Sequence, residues 1–243
     1  MSRARCVVFD LDGPIAGVFS GVPAEFVARE LLSVAERNDC LVGELRYCAD
    51  PIAVLLGHTA EMNRRAGPGG LGNHGDWQRT VAEMHDQLDA WERKAAESAE
   101  PTPGAADFIR ACHASGKLLS LATNNHVDAA TRILERQSVL DCFDGPVIGR
   151  PRDATRMKPD PQSLRQAMAP GIAPGLHLMI GDSPTDYEAA RAVSMPFYGY
   201  HRSATGRRRL REAGVDADSI AVDMTEFLRA VRVSAPGADL TVD

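Results

Sequence analysis

Six side chains in four separated segments hold the chemistry open to this chain of 243 residues. They are Asp10 and Asp12 of Asp10-Leu11-Asp12-Gly13, Thr123 of Thr123-Asn124-Asn125, Lys158 of Lys158-Pro159-Asp160, and Asp182 and Asp186 of Gly181-Asp182-Ser183-Pro184-Thr185-Asp186. Four carboxylates brought together repel. At about 4 Å, two like charges cost about 4 kcal/mol at an effective dielectric near 20. A hard divalent cation with oxygen ligands resolves that repulsion, and Mg²⁺ is the usual choice when a substrate brings phosphate. A hydroxyl, a lysine and strand-end backbone amides then suit the equatorial oxygens of a phosphoryl group. Lys158 is one of only three lysines among 27 basic residues, with Lys94 and Lys117, so its position is a signal in itself.

Convergence of these segments requires a scaffold that ends several strands at one edge. Four short apolar runs supply it: residues 6–9, 118–122, 146–149 and 176–180. Continuous apolar runs of this length read as strands buried on both faces, hence a parallel sheet. Helical patterns over residues 104–115, 126–137 and 161–168 alternate with the later runs, and residues 196–200 and 219–222 add two further strands. The expected fold is α/β, a doubly wound parallel sheet. In such a sheet function collects at the carboxyl ends of strands, where Asp10, Thr123 and Asp182 fall.

Residues 14–100 break the rhythm. They hold no convincing strand, while Val27, Leu31 and Val34, and then Val81, Met84, Leu88 and Trp91, recur at helical spacing. The expected organisation is a core of residues 1–13 and 101–233, an inserted helical lobe of residues 14–100, and a mobile tail of residues 234–243. Within the lobe, Arg46, Tyr47, His58, Asn63, Arg64, His74 and Trp77 could contact a substrate. Their plainer reading is solvation for Arg46 and Arg64 and lobe packing for Tyr47 and Trp77.

Composition excludes several classes. The 27 basic and 33 acidic residues give a net charge of −6, which leaves no electrostatic footprint for nucleic acid. No apolar run approaches a bilayer span, and Asp10 and Asp12 break the only stretch resembling a signal peptide. The five cysteines, at positions 6, 40, 48, 112 and 142, form no Cys-x-x-Cys pair, so a reducing cytoplasm fits best. Gly70-Leu71-Gly72-Asn73-His74-Gly75 spells a dinucleotide fingerprint, but no strand pattern precedes it and a flexible loop is the better reading. Arg207-Arg208-Arg209-Leu210-Arg211 reads as the solvated face of a late helix.

The ordered set Asp10-x-Asp12, Thr123, Lys158-Pro159 and Gly181-Asp182-x-x-x-Asp186 resembles the four motifs of the haloacid dehalogenase-like superfamily, in the branch with a helical cap after the first motif, as in phosphoglycolate phosphatase-like enzymes. That resemblance implies a Mg²⁺-dependent phosphatase acting on a small phosphorylated metabolite. Asp10 would be the nucleophile and Asp12 the general acid and base. Asp10, Asp12 through its carbonyl, Asp182 and Asp186 would hold Mg²⁺. Leu11, Thr123, Asn124 and Lys158 would bind the phosphoryl oxygens. Pro14 stands where the family usually has Thr or Val, which puts the closing motion of the cap in question. A phosphomutase or other phosphotransferase is the alternative within the same chemistry. A dehalogenase has no need of Asp12 or metal, and a non-enzymatic binding module would be expected to lack one of the motif residues.

Overall fold

Val7 and Phe9 point to one side of a strand and Val8 to the other, and all three are buried, so helices must cover both faces of the sheet they enter. A computed structural model describes residues 3–67 and 74–234. The sheet contains β1 (Cys6–Phe9), β4 (Leu118–Ala122), β5 (Val147–Ile148), β6 (His177–Gly181), β7 (Phe197–Tyr200) and β8 (Ile220–Ala221), in the order β5-β4-β1-β6-β7-β8. Every pairing is parallel. Chain order runs outward from β1 through β4 to β5, then returns to the other side for β6, β7 and β8. This reversal puts a crevice beside the carboxyl end of β1.

On one face, α4 (Ala105–Ala114), α5 (Val127–Arg136) and α9 (Met224–Ser234) contribute Phe108, Ile133 and Phe227 to a core with Val7, Phe9 and Leu121. On the other, α6 (Gln162–Ala167) and α7 (Pro184–Ala192) pack Leu164, Ala189 and Ala190 against Val8 and Met179. The arginine-rich α8 (Ala204–Glu212) buries Gly206 and Leu210 beneath its charged face.

The inserted region holds α1 (Ala24–Arg37), α2 (Pro51–Ala66) and α3 (His74–Ala95). Val27, Leu31, Val54, Leu55, Met84 and Leu88 form its own apolar core, to which Ala154 and Met157 from the sheet side are added. Among the described residues, no helix is long and apolar enough to cross a membrane.

One expectation is corrected. Residues 14–100 do contain strand: β2 (Ala16–Gly17) pairs antiparallel with β3 (Glu100–Pro101), which spans the lobe's far boundary. A two-residue ribbon is too short to produce an alternating pattern. It is held by tertiary bonds instead, with Thr102 N–H donating to the Ile15 carbonyl at 2.9 Å and Thr102 Oγ1 to the Gly13 carbonyl at 2.5 Å. The expected tail beyond Ser234 and residues 70–73 of the glycine-rich segment lie outside the described residues.

Candidate active site

The carboxyl ends of β1, β4 and β6 meet at a cavity of about 310 Å³ that Asp10, Asp12, Thr123, Asn124, Lys158, Asp182 and Asp186 all line. Backbone bonds fix the positions. Asp10 N–H donates to the Ile180 carbonyl of β6, and Thr123 N–H donates to Ile148 of β5, both at 2.9 Å. Asp10 and Thr123 thus leave the sheet with their main chain still laddered to a neighbour.

Lys158 is buried at the centre. Its ammonium lies 2.6 Å from Asp10 Oδ1 and 2.6 Å from Asp186 Oδ1, and it donates to the Ala122 carbonyl at 2.8 Å. The Asn124 side chain locks the lysine's backbone: its Nδ2 donates to Lys158 O at 3.1 Å and its Oδ1 accepts from Lys158 N at 2.9 Å.

Asp186 serves two structures at once. As the third residue of α7 it completes a capping box with Ser183, its Oδ2 accepting from Ser183 Oγ at 2.7 Å and Ser183 N at 3.1 Å. Its Oδ1 is left to face Lys158. Pro184 at the first helical position loses no bond, because that amide has no intrahelical partner.

Carboxylate oxygens of Asp10, Asp182 and Asp186 come within 4.8 Å of one another, an all-oxygen donor set suited to a hard cation. Two glycines make the room. A Cβ on Gly13, whose φ is +92°, would stand 2.4 Å from Asp182 Oδ2, and one on Gly181 would stand 2.6 Å from Asp186. Burial dominates the electrostatics of these carboxylates. Burial raises the Asp10 pKa to about 7 despite Lys158. Burial, followed by Asp10 and Asp186, holds Asp182 well above the carboxylate range. Burial also opposes the Lys158 ammonium, but Asp10 and Asp186 outweigh it and its pKa is raised. One ammonium does not compensate this many carboxylates.

The Asp12 side chain stands outside that trio. Its Oδ1 accepts from Val18 N at 2.8 Å, aiming the carboxyl toward the lobe entry, and burial raises its pKa. Leu11 is buried, and its carbonyl accepts from Ile15 and Ala16, so the turn containing Pro14 is stitched by bonds that need no proline N–H.

A further network braces the turn after β4. Thr123 Oγ1 donates to Asn125 Oδ1 at 3.1 Å, and Asn125 Nδ2 donates to Glu92 Oε1 of α3 at 3.1 Å. Glu92 Oε2 accepts from His126 N at 2.7 Å, and Arg150, buried between the layers, pairs with both Glu92 and Asp89. Sequence reading missed this set. Acidic residues at i and i+3 on an amphipathic helix resemble an ordinary solvated face.

The lobe candidates whose side chains are described do not line the cavity. His58 and Trp77 are lobe packing: their rings stack, and the Arg65 guanidinium lies 4.7 Å from the indole centroid. Arg64 pairs with Glu61, and Asn63 is exposed. Tyr47 is corrected: it is 92% exposed and packs against nothing that would bury it. The His74 side chain lies outside the described residues. In place of these, Phe19, Ala24, Ala49, Asp50, Pro51 and Ile52 line the lobe side. The available sign is Asp50-Pro51, an N-cap followed by proline, which marks the start of α2.

A family model described as haloacid dehalogenase-like hydrolase matches residues 4–194. The phosphoglycolate phosphatase of Cereibacter sphaeroides is 29% identical over 79% of this chain and 82% of its own length. That of Rhodospirillum rubrum is 30% identical over 82% and 81%, and that of Mesorhizobium japonicum is 29% identical over 94% and 97%. In fold, the chain is similar to a haloacid dehalogenase-like family hydrolase from Streptococcus pneumoniae, with TM-score 0.62 and 16% identity over 95% of this chain and 99% of that one. It is also similar to the L-2-haloacid dehalogenase of Xanthobacter autotrophicus, with TM-score 0.56 and 17% identity over 94% and 98%.

Proposed function

The chain belongs to the haloacid dehalogenase-like hydrolase family and is a phosphatase of that family, and from this premise we propose that it cleaves a small phosphate monoester in two steps through an aspartyl-phosphate on Asp10. The observation that carries the reading is the convergence of Asp10, Asp182 and Asp186 beside Lys158 at the carboxyl edge of the sheet. Asp10, Asp182 and Asp186, with the Asp12 carbonyl, would hold Mg²⁺. When bound, the ion offsets the clustered carboxylates and the charge of the phosphoryl oxygens.

In the first step an Asp10 oxygen attacks phosphorus and the bond to the ester oxygen breaks. Asp12 delivers its proton to that departing oxygen, a role that its raised pKa supports. In the second step Asp12 takes a proton from water, which attacks phosphorus and releases inorganic phosphate and the Asp10 carboxylate. Thr123, the Leu11 and Asn124 amides and the Lys158 ammonium orient the phosphoryl oxygens. The reading takes residues 1–13 and 101–233 as the catalytic core and residues 14–100 as a lid that controls water access, supported by the lobe's separate apolar core. Five free thiols suit a reducing cytoplasm.

The test is release of inorganic phosphate from p-nitrophenyl phosphate and from a panel of phosphorylated sugars, nucleotides and small acids, with Mg²⁺ and with EDTA. Activity that survives chelation removes the metal from the mechanism and favours dehalogenase-type chemistry.

A further inference from the structure

We propose that the ester accepted by this site has a neutral or cationic alcohol as its leaving group, not an acidic one, and that Asp50 sets the preference. The inference rests on the phosphatase reading and adds the class of substrate to it. The core side of the cavity is equipped for a phosphoryl group. The rest of the substrate would meet the lobe, which presents Phe19, Ala24, Ala49, Pro51, Ile52 and one ionisable group, Asp50. Among the described residues lining the cavity, Lys158 is the only lysine or arginine, and its ammonium is engaged at the phosphoryl end, beside Asp10 and Asp186, away from the lobe side. Residues 68–73 contain no Lys or Arg.

A helix N-terminus is the other common device for holding an anion. The start of α2 lies at this cavity, but that device is already in use. Asp50 Oδ1 accepts from the Ile52 and Ala53 amides at 2.8 and 3.2 Å, and Pro51 has no amide to offer. The end of α2 therefore offers a carboxylate where an uncapped helix would offer N–H groups. Arg29 and Arg46 line a separate surface hollow with Glu25 and Tyr47, which shares only Ala49 with the catalytic cavity.

A carboxylate on the leaving group would face the exposed Asp50 with no lysine or arginine beside it among the described lobe-side residues, and like charges repel. An ammonium would pair with Asp50, and an alkyl or hydroxyl group would rest on the apolar residues. This separates the chain from the relatives named for phosphoglycolate, an ester whose leaving alcohol, glycolate, carries a carboxylate.

The experiment compares kcat/KM for O-phosphoethanolamine, ethyl phosphate and 2-phosphoglycolate, which are similar in size, with p-nitrophenyl phosphate as the control for phosphatase activity itself. It uses the full chain with Mg²⁺, as wild type and as Asp50→Asn, which keeps the oxygen that caps α2. Asp50→Ser, another capping residue, replaces it if the amide variant fails to fold. Wild type should favour the first two esters over 2-phosphoglycolate by at least about tenfold, and Asp50→Asn should shrink the phosphoethanolamine-to-phosphoglycolate ratio by about tenfold. Equal or better turnover of 2-phosphoglycolate by wild type overturns the proposal. So does a ratio unmoved by the substitution, or no turnover of all three while the aryl phosphate is hydrolysed. Failure with the aryl phosphate as well removes the phosphatase reading, so the two failures are distinguishable.

Discussion

Glu92, on the last helix of the inserted lobe, accepts a hydrogen bond from Asn125 Nδ2 at 3.1 Å, and Asn125 in turn accepts from the hydroxyl of Thr123. A lobe side chain is therefore two bonds away from a group proposed to hold phosphate. Glu92 is fully buried and shares Arg150 with Asp89, so the acceptor that braces this turn is itself held by a buried ion pair.

Glu92→Ala should destabilise the protein by about 3–5 kcal/mol, because it leaves the buried Arg150 charge short of a partner. Glu92→Gln keeps an acceptor and should cost less. Urea midpoints measure both. Losses below about 1 kcal/mol for the alanine variant would show that water reaches Arg150 and replaces the pair.

Asp10→Asn should lower turnover by roughly 10⁴-fold or more, since an amide cannot form the phosphoenzyme. The fold should survive. An amide keeps the shape of the Asp10 side chain, and the buried Lys158 ammonium keeps its pairing with Asp186. Phosphate release and thermal melting, measured together, check this. A well-folded variant with near wild-type turnover would take Asp10 out of the mechanism.

Mg²⁺ should raise the melting temperature, because it binds the folded cluster of Asp10, Asp182 and Asp186 and not the unfolded chain. At 100 times its dissociation constant the gain is about 2.7 kcal/mol. Asp182→Asn should abolish most of that shift. Ca²⁺ should also stabilise but support turnover poorly, as its looser coordination of more oxygens suits an in-line attack less well.

Acid sensitivity should trace in part to His85 of α3. Burial, with Arg150 and Arg152 nearby, depresses its pKa to about 4, while Asp89 and Asp86 pull the other way. The unfolded chain therefore binds this proton first on acidification. Stability is present above the ordinary imidazole pKa and is lost as pH falls from there toward 4. His85→Gln should remove about 1 kcal/mol of the wild-type loss between pH 7 and pH 5. Equal losses in both proteins would place the sensitivity elsewhere.

The sheet was legible because β1, β4 and β6 are continuous apolar runs and the chemical residues follow them directly in sequence. Lys158 was legible by its rarity and by the proline after it. The lobe's contribution was not. Glu92 and Arg150 are 58 positions apart, and each resembles a surface charge until the lobe docks on the core. Asp50 reads as a helix cap, and only the placement of α2 turns it toward the cavity. Local patterns reported elements, while contacts between lobe and core depended on how those elements pack.

Pro14 offers the last test, because it lies where the chain leaves the catalytic strand for the lobe. Gly13 beside it has φ of +92° and no room for a side chain against Asp182, so flexibility at this exit is already limited on one side. The return strand is pinned to the same turn by Thr102, whose hydroxyl bonds the Gly13 carbonyl and whose N–H bonds Ile15. A proline adds a second restraint by fixing φ near −65°. Pro14→Thr should free that angle and lower stability by about 0.4–1 kcal/mol through the added entropy of the unfolded chain. The catalytic side chains keep their places, and Pro14 is absent from the cavity wall, so the ranking of substrates should hold. Turnover should change, because the proposed opening and closing of the lobe would pass through this turn. Steady-state kinetics on several esters, with solvent viscosity varied to expose a release step, provide the measurement. A changed ranking would mean that Pro14 shapes the pocket, and unchanged turnover would mean that the lobe moves about another point.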